Sequence, residues 1–563
     1  MRILLVASAF NSLTQRVHTE LRDRGHTVAV ELALGDEPVR AAVGRFEPDL
    51  VLAPMLTRAV PEDVWRGHPV LIVHPGPKGD RGPSSLDWAI HQGAEEWGVT
   101  VLQAVAEMDA GPIWASVPFT LPACGKSEAY RTEVADAALE AVLLAVERYD
   151  SGWFEPEPLD YSRWDVRGTL RPYHAQEYRR IDWAADDTAT VLRKLRSGDS
   201  QPGVLDELYG REHFLHGGHP EDRLRGAPGA VLATREGAIC RATTDGAVWI
   251  PQLRPRRTPG GPATFKLPAD QALGDLLDGV PEAPVTPWEA ARRSTYSQLR
   301  YREDAGVGYL EFAFPGGAMS TGQCRRLLAA YREACTRPTS VLVLGPARDF
   351  YSNGIHLNTI EAAADPAEES WQNINAMDDL VEAILTTTDK LTVSALAGNA
   401  AAGGLMLAVA ADEVWCRSSA VLNPHYRLMG LYGSEYWTYT LPRRVGEETA
   451  RRLTTAALPV GPQEAESVGL VDRVRRGSAA EFRRWVEREA AALADSPELG
   501  TRLLEKKRRR AADEAAKPLA AYRAEELTHM RRNFTAPDEP YHRLRRDFVH
   551  KVCPTATPEH LRG

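Results

Sequence analysis

Within the first 120 residues, short apolar runs alternate with stretches of helical spacing, and few folds accept that pattern. Residues 2–8, 27–32, 49–55 and 69–74 are runs of strand length, while Leu13, Val17 and Leu21 recur at helical spacing before Gly25 stops the helix. Such alternation implies a mostly parallel sheet with helices on both faces, whose ligands bind beyond the carboxyl ends of the strands. The run at residues 2–8 is too short to span a bilayer, and no basic stretch and cleavage site accompany it. It reads as a buried first strand.

The pattern changes near residue 160. From there to about residue 279 Gly and Pro are frequent, and short strands at 229–234 and 247–253 replace the alternation. Segments 254–262 (RPRRTPGGP) and 281–287 (PEAPVTP) are linker-like. A second α/β region begins near Gly306, with strand-like runs at 308–314, 340–345, 390–397 and 412–416; from Ala479 onward the pattern is helical and highly charged. The expected organisation is a multidomain α/β chain with modules at 1–160, 161–280 and 281–563, since 563 residues exceed one hydrophobic core. A formal charge of −10 argues against a general nucleic-acid binder. The six cysteines form no CxxC pair and no zinc pattern, so they read as reduced thiols of a cytoplasmic protein, without a metal site.

Chemistry concentrates first at residues 71–90 (LIVHPGPKGDRGPSSLDWAI): a strand ends on His74, a Gly/Pro loop follows, and a helix begins near Ser85. Another strand at 99–107 leads into Met108-Asp109-Ala110-Gly111, which is expected to bring Asp109 to His74 across adjacent strand ends. An imidazole beside a carboxylate suits proton transfer near neutral pH. Taken singly, a strand-end His caps structure and an Asp before Gly forms a turn. Together, His74, Arg81-Gly82, Leu86-Asp87-Trp88-Ala89 and Asp109-Ala110-Gly111 resemble, in order, the motifs of the formyltetrahydrofolate-dependent formyltransferases. Arg180-Ile181-Asp182-Trp183 and the strand after Pro228-Gly229 resemble that family's β-rich, OB-like C-terminal subdomain, so the likeness spans roughly residues 1–255. It implies a doubly wound catalytic sheet, 10-formyltetrahydrofolate as formyl donor, His74 and Asp109 as catalytic residues, and Arg81, Gly82 and Leu86 as binding positions. One departure is plain: the family's Asn two residues before the His is Ile72 here, which removes a polar donor from the transfer site.

A second set lies in the last module. Ala397-Gly398-Asn399-Ala400-Ala401-Ala402-Gly403-Gly404 follows a strand and opens a helix, so free N–H groups meet a ligand at close range. With the earlier Phe350-Tyr351-Ser352-Asn353-Gly354-Ile355-His356, it resembles the crotonase (enoyl-CoA hydratase/isomerase) family over about residues 300–553. The resemblance implies coenzyme A as ligand and the N–H groups of Ile355 and Gly403 as an oxyanion hole. Hydratase carboxylates are absent: Met406 stands at one position, and Asn423-Pro424-His425-Tyr426 at the other. His425, Tyr426, Glu435 and Tyr436 are the proton-handling candidates, set against plain aromatic packing with a surface Glu. Lys506, Lys507, Arg545 and Arg131 are candidate partners for coenzyme A phosphates, set against solvated helix faces.

This order of modules resembles a family of accessory proteins for nickel–iron hydrogenase maturation. It implies formyl transfer from 10-formyltetrahydrofolate to coenzyme A, then decarbonylation of formyl-CoA to carbon monoxide for the hydrogenase metal. Expected partners are small-molecule substrates and the hydrogenase large-subunit precursor or its maturation proteins, with no nucleic acid and no membrane. Two alternatives remain open: a formyltransferase for a sugar or amino substrate with a regulatory CoA-binding domain, and a non-catalytic folate- and CoA-binding scaffold.

Overall fold

The computed structural model describes residues 1–345 and 348–562. The first module is built on a six-stranded sheet, in spatial order Thr27–Leu32, Arg2–Ala7, Leu50–Met55, Val70–His74, Glu96–Gln103 and Ile113–Thr120. The first four strands pair in parallel and the last two antiparallel. Both faces are covered, which is why the strands are unbroken apolar runs. Leu13, Val17 and Leu21 of helix Ser12–Asp23 pack on one face; Val39, Val43 and Phe46 of helix Asp36–Phe46 pack on the other. The Asn11 side chain caps the first helix by accepting the Thr14 N–H at 3.0 Å.

Antiparallel pairing changes one expectation. Thr100, not Asp109, lies opposite His74 in the ladder. Asp109 reaches the histidine from the loop between the last two strands, in a left-handed conformation at φ 55°.

The middle module holds two four-stranded sheets, with helix Thr188–Gly198 packed against Leu215, Ile239, Val248 and Leu253. The stretch expected as one strand at 247–253 is two, Ala247–Ile250 and Gln252–Pro255, each in a different sheet. Pro251, without an N–H for the ladder, turns the corner between them.

The last module carries a second six-stranded sheet: Leu299–Asp304, Val307–Phe312, Val341–Gly345, Leu391–Leu396, Glu413–Arg417 and Arg473–Arg475. Only its first pair is antiparallel. Helices Thr321–Thr336 and Pro366–Thr386 cover one face, and Ala479–Ala494 the other.

Charged pairs join the first and last modules. Asp136 receives Arg16 and Arg417, each at 2.7 Å, and the Arg417 side chain is only 1% exposed. Arg131 meets Asp349 at 2.6 Å, and Arg348 meets Glu133 at 2.9 Å. Near the other end of the chain, the Thr557 hydroxyl accepts the Leu32 N–H at 2.9 Å and donates to Glu31, so the C-terminal tail lies on the first sheet. Among the described residues, no helix is long and apolar enough to cross a membrane.

Candidate active site

His74 ends its strand beneath the loop that follows it. The loop is pinned from below: the Ser85 hydroxyl and the Trp97 indole both donate to the Pro75 carbonyl, at 2.7 and 2.9 Å, and the Thr100 hydroxyl donates to that of Gly76 at 2.9 Å. The buried imidazole lies between two carboxylates. Its Nε2 is 2.9 Å from Asp80 Oδ2, and its Nδ1 is 3.6 Å from Asp109 Oδ2. The expected His74–Asp109 pair is therefore beyond hydrogen-bond length, and the direct partner is Asp80. Asp109 instead accepts the Gly82 N–H at 3.1 Å.

Arg81 also departs from its expected binding role. Its Nε donates to the Met108 carbonyl at 2.9 Å and its guanidinium pairs with Glu107 at 2.7 Å. Arg81 and Gly82 thus hold the loop that carries Asp109. Ile72 packs against the apolar core on its face of the sheet.

A single cavity of about 880 Å³ runs from this module into the last one. At one end it is lined by Asn11, Gln15, Pro75, Leu86, Lys126 and Arg131, and at the other by Ile355, Gly403, His425, Tyr426 and Glu435. Pro75 is the residue after His74, so the cavity wall touches the loop over the histidine. The cationic end is partly neutralised: Lys126 meets Asp87 at 2.9 Å, and Arg131 is held by Asp349 above the Phe350 ring. Lys551 also lines the cavity, its ammonium 4.3 Å from the Phe548 ring centre, with burial and then Lys266 pushing its pKa down.

At the far end two backbone donors face the space. Flanking groups are engaged: Met319 N–H donates to Gly354 O, His356 N–H to Asn373, and Ala401 N–H to Ser352 O. The N–H groups of Ile355 and Gly403 have no partner among the described residues. The second opens helix Gly403–Val409, whose N-terminus adds positive potential.

Glu435 approaches these donors closely: a Cβ built on Gly403 would lie 2.0 Å from Glu435 Oε1. The carboxyl is almost fully buried, and the Tyr426 hydroxyl donates to its Oε2 at 2.7 Å. Burial, reinforced by the charge of Glu526, pushes Glu435 up to about 7, against the lowering effect of the Tyr426 bond. Glu435 and Tyr436 are both left-handed, at φ 61° and 58°, which costs on the order of 1–3 kcal/mol per residue. Two buried acids hold that turn. Asp378 accepts the Glu435 N–H at 2.8 Å and the Ser434 hydroxyl; Glu526 accepts the N–H groups of Tyr436 and Thr438, both at 2.9 Å. Burial pushes Asp378 well up and Glu526 up to about 7. Gly433 is required because its φ is 97° and a Cβ would lie 2.3 Å from the Tyr426 ring.

His425 also lines the cavity. Both its ring nitrogens are buried without partners, and burial pushes it down to about 4, so the ring is neutral at physiological pH. Tyr436 points elsewhere: its hydroxyl donates to Glu382 at 3.1 Å and it does not border the cavity, so it is withdrawn as a proton handler there. Met406 is buried in the apolar core.

Three cations proposed for coenzyme A phosphates are also withdrawn. Lys506 is buried against Asp412 at 2.5 Å and the Lys390 carbonyl at 2.9 Å. Arg545 is buried against Glu361 at 2.7 Å. Lys507 is exposed on helix Leu499–Ala516, away from the cavity. Helical spacing explains the split: consecutive basic residues face different directions, and only one face meets the fold.

The family model for enoyl-CoA hydratase/isomerase matches residues 302–539, and that for the formyl transferase C-terminal domain matches residues 175–262. The hydrogenase maturation factor HoxX of Bradyrhizobium diazoefficiens is 49% identical over 566 residues, covering 100% of this chain and 97% of that protein. A methionyl-tRNA formyltransferase of Roseiflexus castenholzii is 30% identical over 177 residues, which are 31% of this chain and 55% of that protein. The crystal structure of HypX from Aquifex aeolicus in complex with tetrahydrofolic acid matches at a TM-score of 0.95 and 44% identity, over 100% of this chain and 98% of that one.

Proposed function

We propose, for a chain that belongs to the HypX/HoxX family of hydrogenase maturation factors, that it moves a formyl group from 10-formyltetrahydrofolate to coenzyme A and then releases it as carbon monoxide. The carbon monoxide would serve as a ligand of the hydrogenase metal, delivered in the cytoplasm to the large-subunit precursor or its maturation proteins. The observation that carries this reading is the shared cavity. It borders the loop over His74 at one end and the Ile355, Gly403 and Glu435 groups at the other. Lys126, Arg131 and Lys551 line the cavity, and of these Lys126 and Arg131 are paired with Asp87 and Asp349, so a phosphorylated thiol would be received by cations already held in place.

In the first step the coenzyme A thiol attacks the formyl carbon. Its pKa is near ~8.5 as an ordinary thiol, so a base that takes the proton as the C–S bond forms is useful. His74 would serve as that base, with the Asp109 carboxylate 3.6 Å from its Nδ1 to stabilise the charge it gains. The C–N bond to the folate breaks, and the proton passes to the folate nitrogen.

In the second step the Ile355 and Gly403 N–H groups polarise the formyl carbonyl. The Glu435 carboxylate takes the formyl proton, the C–S bond breaks, and carbon monoxide leaves. The proton then passes from Glu435 to the thiolate, so coenzyme A leaves as the thiol. Tyr426 holds the Glu435 carboxyl toward the cavity throughout.

This reading is tested by the acceptor requirement. Tetrahydrofolate release from 10-formyltetrahydrofolate should depend on coenzyme A. Release driven equally well by an amine or amino sugar would favour the alternative formyltransferase, and no release with any acceptor would favour the scaffold.

A further inference from the structure

We infer that Asp80 is a positioning residue for the transfer step: it holds His74 with its proton on Nε2, so that Nδ1 is the lone pair presented to the reacting groups. The inference deepens the reading of His74 as the base of that step and rests on it.

The two carboxylates beside His74 are not equivalent. The Asp80 side chain is 0% exposed and lies 2.9 Å from Nε2; that of Asp109 is 12% exposed and lies 3.6 Å from Nδ1. The Asp80 side of the ring is therefore closed, and the Asp109 side is the more open of the two. An ionised carboxylate only accepts hydrogen bonds, so an imidazole bound to one at Nε2 must carry its proton there. Nδ1, too far from Asp109 for a hydrogen bond, stays available.

The surroundings are built for this contact. A Cβ at Gly76 would lie 2.4 Å from Asp80 Oδ2 and 2.6 Å from His74 Nε2, so no side chain fits there while the pair persists. The segment at 157–171 straps the loop from outside. Gly168 N–H donates to Lys78 O at 2.9 Å, Arg81 N–H to Thr169 O at 3.2 Å, and Arg171 N–H to Arg81 O at 3.0 Å. Gly168 is needed there, because a Cβ would lie 1.8 Å from the Asp80 nitrogen. The Arg171 guanidinium, over the Trp97 ring, sits 3.5 Å from Asp80 Oδ1 and balances its charge. A residue that served only as a turn former would need none of these contacts.

In the transfer step, Nδ1 takes the thiol proton while Nε2–H stays on Asp80, which stabilises the imidazolium until Nδ1 returns the proton to the folate nitrogen. The arrangement resembles the logic by which a buried Asp orients a catalytic His in acyl transfer.

The test uses the full chain with histidines labelled in 15N, the His74 signals being assigned by their loss in His74→Gln. Spectra followed across pH should show that the single proton of the wild-type neutral ring sits on Nε2 of His74. In Asp80→Asn the side-chain amide can donate to Nε2, and the proton should move to Nδ1. For tetrahydrofolate release, kcat of Asp80→Asn should fall about 100-fold or more, with KM changed by no more than about twofold. A wild-type His74 protonated on Nδ1, or a folded Asp80→Asn with wild-type kcat, overturns the inference. The tautomer measurement needs no variant at Asp80, so it decides even if Asp80→Asn does not fold. Wild-type turnover by His74→Gln would instead overturn the reading of His74 as base, while the tautomer still reports what Asp80 holds.

Discussion

Replacing Gly403 with alanine should separate the two proposed steps. The new methyl would lie 2.0 Å from Glu435 Oε1 and 2.5 Å from its Cδ, where ordinary contact begins at roughly 3.5 Å. The carboxyl must therefore retreat by roughly 1 Å or more. The obstacle is the end of a side chain rather than backbone, so the fold can accommodate the change at about 1–3 kcal/mol. Catalysis has less room: a displacement of about 1 Å costs on the order of 100-fold in rate. Tetrahydrofolate, formyl-CoA and carbon monoxide trapped on reduced haem should be measured in the same reaction. The expected result is normal tetrahydrofolate release, carbon monoxide formation slowed about 100-fold, and formyl-CoA accumulating in proportion. A Gly403→Ala protein that is folded and releases carbon monoxide at the wild-type rate would refute the placement of Glu435 at the reacting carbon.

Other perturbations read other parts of the site. Glu435→Gln should also leave folate turnover intact and slow carbon monoxide release by about 100-fold or more, measured from supplied formyl-CoA. Burial pushes Glu435 up to about 7 and its base form exists above that value, so the same rate should fall as pH drops through about 7; a flat profile from about pH 6 to 8 contradicts the assignment. His74→Ala and Asp109→Asn should abolish tetrahydrofolate release in a folded chain, and unchanged release in either would remove it from the transfer site. Asp136→Ala strands the buried Arg417 and frees Arg16, so the junction of the modules should lose about 3–5 kcal/mol, seen as an earlier thermal transition; an unchanged transition would show that the pair does not hold them together.

Much of this arrangement was legible in the residues because it depends on local pattern. Unbroken apolar runs marked the first sheet, and a strand ending on His74 before a Gly/Pro loop marked where chemistry could sit. Small residues at 400–404 marked a helix start with free N–H groups. What was not legible depends on contacts distant in sequence or on loops folding back. Asp80, in Gly-Asp-Arg-Gly, reads as a turn, and only the path of the loop brings it beside His74. Asp378 and Glu526 lie on helices that look ordinary, yet they accept the N–H groups of the turn that carries Glu435. The basic residues misled for a related reason: Lys506 and Arg545 are amphipathic side chains that are buried with their charged ends on half-buried carboxylates. The cavity joining the modules was not readable either, since its lining comes from residues as distant as Gln15 and Lys551.

The central claim is that one formyl group passes through both sites. It is tested most directly with 10-formyltetrahydrofolate carrying 13C in the formyl group, supplied with coenzyme A to the purified chain, with the gas and soluble products analysed together. The account predicts 13C-labelled carbon monoxide in equal amount to tetrahydrofolate, and none when coenzyme A is left out. Label recovered only as formate or a formylated amine, or labelled carbon monoxide formed without coenzyme A, would contradict it.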